Sequence, residues 1–369
     1  MLFYKYKFYK PDSIFKKILK LDWLLLFLVL TICIIGVGAL YSAGDGSLKP
    51  WATNHLYKIL LGFFIVLTLS QFKIDFIMKF SVILYVLCIL CLIYVINFGV
   101  GDVKRWIDLK YLFFQPSELT KISVILLLAK FFTYYPNNSK NYLYNIFAIF
   151  LVLAPGLLII NQPDLGTGSM LILLGFAIIF LNGLSWNIIF SITIISLISL
   201  PVIWQNLLEY QKYRILVFLN PELDILGKGY QIMQSKIAIG SGGIFGKGFL
   251  TGSQSRLDFL PEKHTDFVYT LISEEMGFIG SISVLILYFL INFILIKEFI
   301  KEENLTNKIL IFGVSFLIFL YVVFNIGMVT GLIPVVGAPL PFISNGGTSL
   351  ITIFIGLGII QSIRVSRNV

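Results

Sequence analysis

Asp266 ends a charged run, Arg256-Leu257-Asp258-Phe259-Leu260-Pro261-Glu262-Lys263-His264-Thr265-Asp266, at the point where a long apolar segment opens with Phe267 and Val268. A carboxylate at the edge of apolar surroundings suits general base chemistry, in which it removes a proton from an attacking hydroxyl. The plainer alternative makes Asp266 a partner of a helix dipole, with Thr265 as the cap. Glu274 and Glu275 follow about two turns deeper, where acids are either functional groups or helix-to-helix partners. A second cluster reads Gln115-Pro116-Ser117-Glu118-Leu119-Thr120-Lys121. Pro116 and Glu118 suit a first helical turn, and Lys121 falls on the same face as Glu118. A structural ion pair and a substrate-facing pair both remain open for them. Gln162-Pro163-Asp164-Leu165-Gly166-Thr167 is a tight turn carrying one acid. Lys104-Arg105-Trp106-Ile107-Asp108, followed by Tyr111, Phe113 and Phe114, suits a segment lying at a membrane surface and lining an entrance from the outer leaflet.

The elements that must position these groups are membrane helices. Of the 369 residues, 58% are hydrophobic and 13% charged, against about 25% charged in an average soluble domain. A helical span needs about 20 apolar residues, and windows of that length fall at approximately 22–44, 54–72, 76–98, 116–135, 143–161, 167–183, 186–208, 266–296, 309–333 and 346–363. The expectation is an all-α polytopic membrane protein of about ten transmembrane helices, one integral membrane domain over residues 1–369. Lys5, Lys7, Lys10, Lys16, Lys17 and Lys20 precede the first window and place the amino terminus in the cytoplasm. An even number of spans returns Arg364 and Arg367 to the same side. The first apolar run is too long for a signal-peptide core, so it is expected to be retained.

A large extracellular loop, about 209–265, is then expected between spans 7 and 8. It is unusually basic for an outer segment, from Lys212 to Lys263. The net charge of +9 is spread over both faces, which argues against nucleic acid and for anionic lipid or a phosphorylated substrate. Inside this loop, Gly240-Ser241-Gly242-Gly243-Ile244-Phe245-Gly246-Lys247-Gly248 has neither the spacing nor the hydroxyl residue of a P-loop and reads as a turning or flexible loop. Cys33, Cys88 and Cys91 fall inside spans, so no disulfide is expected. The Asn137-Asn138-Ser139 and Asn304-Leu305-Thr306 sequons lie on the expected inner side and are discounted. Pro334 to Ser349 is broken by prolines and glycines, which membrane depth tolerates only in a buried or cavity-lining segment.

Taken together, these segments resemble the SEDS family (shape, elongation, division, sporulation) of bacterial membrane glycosyltransferases. The resemblance runs from Asp22 and Leu40-Tyr41-Ser42-Ala43 through Arg105-Trp106-Ile107, the Gln115 and Gln162 clusters, Gly229-Tyr230-Gln231 and Phe259 to Phe267, to Pro341-Phe342-Ile343-Ser344-Asn345-Gly346-Gly347-Thr348-Ser349. Gln234 to Gly243 and Thr251 to Ser255 are similar to the elongation branch. One departure is Asn345, where family members commonly carry Tyr. The resemblance implies polymerisation of lipid II into peptidoglycan glycan strands at the outer face of the bacterial cytoplasmic membrane, with release of undecaprenyl pyrophosphate. It makes Asp266 the essential acid and Glu118, Lys121, Arg105, Asp164 and Lys263 the candidate substrate-binding residues. Lys121, oriented by Glu118, and Arg105 are expected to stabilise the charge growing on the departing pyrophosphate, a role that a divalent cation, Mg or Mn, could share, although no metal-ligand set is recognisable. Implied partners are a class B penicillin-binding protein and other membrane proteins of the elongation complex. The chief rival, a lipid flippase, would need similar spans and broken helices, but also polar groups open to both leaflets. A scaffold would have no use for the Glu118 and Lys121 pair.

Overall fold

The computed structural model describes residues 13–100, 104–108, 113–135, 142–183, 186–207, 209–224, 227–253 and 262–367. Lys5, Lys7, Lys10, Tyr111, the Asn137 sequon and residues 256–261 of the charged run lie outside them. The chain begins with α1 (Ile14–Leu19), α2 (Trp23–Ala43), α3 (Trp51–Leu69), α4 (Ile74–Lys79) and α5 (Ser81–Phe98). A two-residue antiparallel pair, β1 (Ile107–Asp108) and β2 (Phe113–Phe114), precedes α6 (Pro116–Tyr134), α7 (Tyr142–Asn161), α8 (Leu165–Leu181) and α9 (Trp186–Asn206). The long segment expected as a loop holds α10 (Glu209–Leu219) and α11 (Lys228–Ser241), and the chain ends with α12 (Val268–Lys301), α13 (Leu305–Val329) and α14 (Thr348–Arg367).

Every apolar window coincides with a helix. Among the described residues, seven are long and apolar enough to cross a membrane, namely α2, α3, α5, α7, α12, α13 and α14, and α8 is a shorter apolar helix. Glu118, Lys121 and Lys130 interrupt the apolar character of α6. The outward faces of α5 and α12 are as apolar as the core, with Ile83, Leu87, Leu90, Phe289 and Phe293 exposed. A helix apolar on all sides is one whose outer face meets lipid. At the end of the bundle where α2 begins and α12 and α14 finish, Arg364 bonds to Asp22 and reaches Glu298 at 3.3 Å, and Arg367 reaches Glu298 at 2.7 Å.

One long helix is broken. Gly277 interrupts α12 with φ 64° and ψ −158°, which would leave backbone groups unpaired inside the bundle. The glycine run after α11 fills the break. Phe278 N donates to Gly243 O at 2.8 Å, Ile279 N to Ile244 O at 3.2 Å, Lys247 N to Glu274 O at 3.0 Å and Gly248 N to Glu275 O at 3.0 Å. A Cβ on Gly246 would lie 2.1 Å from Glu275 O, so the approach needs glycine. The glycines expected to form a flexible or turning loop thus dock main chain against main chain.

Candidate active site

Asp266 stands in a turn, residues 262–267, that leads into α12. Thr265 N and Phe267 N both donate to Glu262 O at 3.2 Å, and Phe267 is buried. Thr265 is not the helix cap expected of it: its hydroxyl bonds to Glu262 Oε2 at 2.6 Å, and Phe267 precedes the helix without a side-chain cap. Asn325 of α13 fixes the turn from below, with Nδ2 donating to Asp266 O at 2.9 Å and to Ala338 O at 2.7 Å. One amide therefore ties the Asp266 turn to the last connection. Asp266 is half-buried and lines a cavity of about 150 Å³ with Trp106, Gln115, Glu118, Thr167 and the wall from Asn345 to Ser349. Gly337, at φ +71°, lets the last connection pass so close that a Cβ there would sit 3.4 Å from Asp266 Oδ2.

Glu118 reaches this cavity and Lys121 does not. Lys121 is fully buried, its Nζ 2.8 Å from Glu118 Oε1 and also donating to the Tyr321 hydroxyl. That hydroxyl donates to Glu118 Oε2 and closes a three-member ring, and the ammonium lies 4.4 Å from the Tyr321 ring centroid. In this geometry Lys121 and Tyr321 hold the carboxylate of Glu118 at the cavity wall.

Arg105 and Asp164 also act behind the wall. The guanidinium of Arg105 is 3.8 Å from Asp164 Oδ1, donates to Gln162 O at 3.4 Å and bonds to Pro163 O. Asp164 caps α8 by accepting from Thr167 N at 3.2 Å, and accepts from Gln115 Nε2 at 3.2 Å. Thr167 and Gln115, which touch the cavity, are thereby fixed. Lys263, three residues before Asp266, is buried and turns to Asp45 at 3.8 Å. Glu274 and Glu275 do not line the Asp266 cavity. Glu274 pairs with Lys247 at 2.8 Å, and Glu275 accepts from Ser42.

Helix α3 supplies a set of contacts that the motifs did not announce. Trp51 stacks on His264 with centroids 4.5 Å apart, His55 Nε2 meets Phe342 O at 2.9 Å, and Lys58 Nζ donates to Asn345 Oδ1 at 2.8 Å. Asn345 N donates to His264 O at 3.1 Å. Burial pushes the His264 imidazole below its ordinary value, with smaller opposing effects of Glu262 and Lys263. The spacing 51, 55, 58 puts these residues on one helical face, a signal hidden among apolar neighbours. Tyr321 and Asn325, also four apart, were concealed in the same way. Among the described residues, no group of three or more His, Cys, Asp or Glu is placed to hold a metal ion.

The model of the cell cycle protein family FtsW/RodA/SpoVE matches residues 17–369. The chain belongs to this SEDS family. It is 38% identical over 353 residues to peptidoglycan glycosyltransferase MrdB of Escherichia coli K12, covering 94% of each chain. Peptidoglycan glycosyltransferase RodA of Treponema pallidum is 30% identical, with 94% of this chain and 98% of the relative covered. Among solved structures, a chain from a peptidoglycan synthase complex, described as coordinating polymerization and crosslinking, superposes with TM-score 0.81 at 30% identity over 94% and 98% of the two chains. The crystal structure of RodA from Thermus thermophilus gives TM-score 0.71 at 26% identity over 94% and 97%. In this SEDS chain the side chain of Asn345 is held by Lys58.

Proposed function

We infer that this SEDS protein is a peptidoglycan glycosyltransferase that polymerises lipid II into glycan strands during cell elongation, releasing undecaprenyl pyrophosphate. The observation that carries the reading is the pairing of two carboxylates, Asp266 and Glu118, on the wall of one polar cavity. The acceptor hydroxyl attacks the donor's anomeric carbon, a new glycosidic C–O bond forms, and the C–O bond to the pyrophosphate breaks. Asp266 takes the proton lost by the hydroxyl. Glu118, held by Lys121 and Tyr321, accepts hydrogen bonds from sugar hydroxyls and fixes the ring. Arg105 with Asp164, and Lys263 with Asp45, keep the turns around the site in place.

Ten helices, α2, α3, α5 to α9 and α12 to α14, cross the bacterial cytoplasmic membrane in this reading, with both termini in the cytoplasm. Support comes from the basic residues Lys16, Lys17, Arg364 and Arg367, which lie near the end of the bundle that the Asp22 and Glu298 ion pairs tie together. The cavity then opens outward, where lipid II is presented. A class B penicillin-binding protein and other membrane proteins of the elongation complex are the partners, consistent with the synthase complex among the structural neighbours. Purified protein given fluorescent lipid II is expected to yield a ladder of glycan products, even if the partner must be added. No ladder under either condition, with labelled lipid crossing vesicle leaflets instead, would replace the transferase by a flippase.

A further inference from the structure

The cations of the bundle differ in how they are compensated. Arg105, Lys121, Lys263 and Lys247 each lie within 4 Å of a carboxylate, at 3.8, 2.8, 3.8 and 2.8 Å. Lys58, half-buried in α3, has no carboxylate at that range among the described residues, and its ammonium donates to the neutral Asn345 amide at 2.8 Å. A charge at membrane depth without an opposite charge is costly and marks a functional position by default. Asn345 makes this arrangement informative. Its side chain is held by Lys58, its main-chain N–H is bonded to His264 two residues before Asp266, and it lines the cavity. Gly346 and Gly347 follow it in the wall, and a Cβ on Gly347 would meet nothing within 4 Å. A Cβ on Gly346 would lie 3.2 Å from the Pro339 side chain, so the wall is packed as far as Gly346 and open at Gly347.

We propose that Lys58 is a positioning residue for glycosyl transfer: through Asn345 it fixes the cavity wall that shares the site with Asp266. The role rests on the transferase activity inferred above. It differs from simple bundle stability because Trp51 and His55, on the same face, already fasten α3 to His264 and Phe342. Lys58 adds the contact to the cavity-lining residue itself. A loosened wall misplaces the bound sugars, and small misplacements cost rate more than affinity.

Two readouts test this in purified full-length protein. The first is lipid II polymerisation by Lys58→Met, Lys58→Arg, Asn345→Ala and the Lys58→Met/Asn345→Ala double variant. Lys58→Met is expected to lower kcat about tenfold with little change in KM or thermal midpoint, Lys58→Arg to restore most of the rate, and Lys58→Met to add less than about twofold once Asn345 is Ala. The second is hydrogen exchange at residues 345–348, which should accelerate in Lys58→Met whatever the activity. Unchanged exchange there, an unchanged kcat in an active enzyme, or an undiminished effect in the Asn345→Ala background would overturn the role of Lys58. A wild type that makes no polymer would count against the transferase, and the exchange readout would still decide the clamp.

Discussion

Replacing Lys121 by Met removes the cation bonded to Glu118 inside the bundle and leaves the carboxylate, 5% exposed, with its hydrogen bond from the Tyr321 hydroxyl. Removing one partner of a buried pair costs about 3–5 kcal/mol, because the remaining charge stays desolvated. The Tyr321 bond, of a kind worth about 1.5–3 kcal/mol, keeps the expected loss toward the lower limit, about 3 kcal/mol. Changing Glu118 to Gln in the same protein eliminates the stranded charge. The Lys121→Met/Glu118→Gln variant should therefore recover more than half of the lost stability, a coupling of at least about 1.5 kcal/mol. Unfolding titrations in detergent micelles, followed by tryptophan fluorescence, measure these differences. Polymerisation of lipid II should stay low in both variants, since neither presents an anchored carboxylate at the cavity. Stability of Lys121→Met within about 0.5 kcal/mol of wild type, or a double variant as unstable as the sum of the single changes, would refute the ring of Lys121, Tyr321 and Glu118.

Gly337→Val should depress polymerisation at least about tenfold, because it places a branched side chain at φ +71° against Asp266 Oδ2; initial rates at saturating lipid II measure it, and a wild-type rate would argue against the close approach. Asp164→Ala removes the α8 cap and the partner of Arg105, and is expected to cost about 1–2 kcal/mol in the same unfolding titration. His264 carries a pKa pushed down by burial, so the unfolded chain binds its proton more readily and stability is lost as pH falls below about 6.5. His264→Phe keeps a ring against Trp51, and its unfolding midpoint should fall less than that of wild type between about pH 7 and pH 5.

The helices were readable because bilayer thickness dictates a length of apolar chain, and each of the ten windows holds one. Asp266 and Glu118 were readable for a related reason: a charge costs so much in such surroundings that it draws notice wherever it stands. What those charges do depended on contacts between distant segments. Lys121 and Glu118 announce themselves by helical spacing, but Tyr321, which completes their ring, lies 200 residues beyond Lys121. Lys263 stands three residues before Asp266 and yet faces Asp45, because residues of one turn need not point the same way. The glycine run looked like a mobile loop, since no local pattern reveals that its main chain fills the break at Gly277. Lys58 is an isolated lysine in α3 until the last connection is folded onto it.

The central claim concerns Asp266 as the group that takes the proton, and the most direct test is the isosteric Asp266→Asn substitution. Initial rates of lipid II polymerisation would be compared for wild type and variant with matched thermal midpoints and equal lipid II binding. Loss of the base should lower the rate by about 10²- to 10⁴-fold while substrate binding persists. A variant that polymerises lipid II at a rate near that of wild type would contradict the account and remove Asp266 from the chemistry.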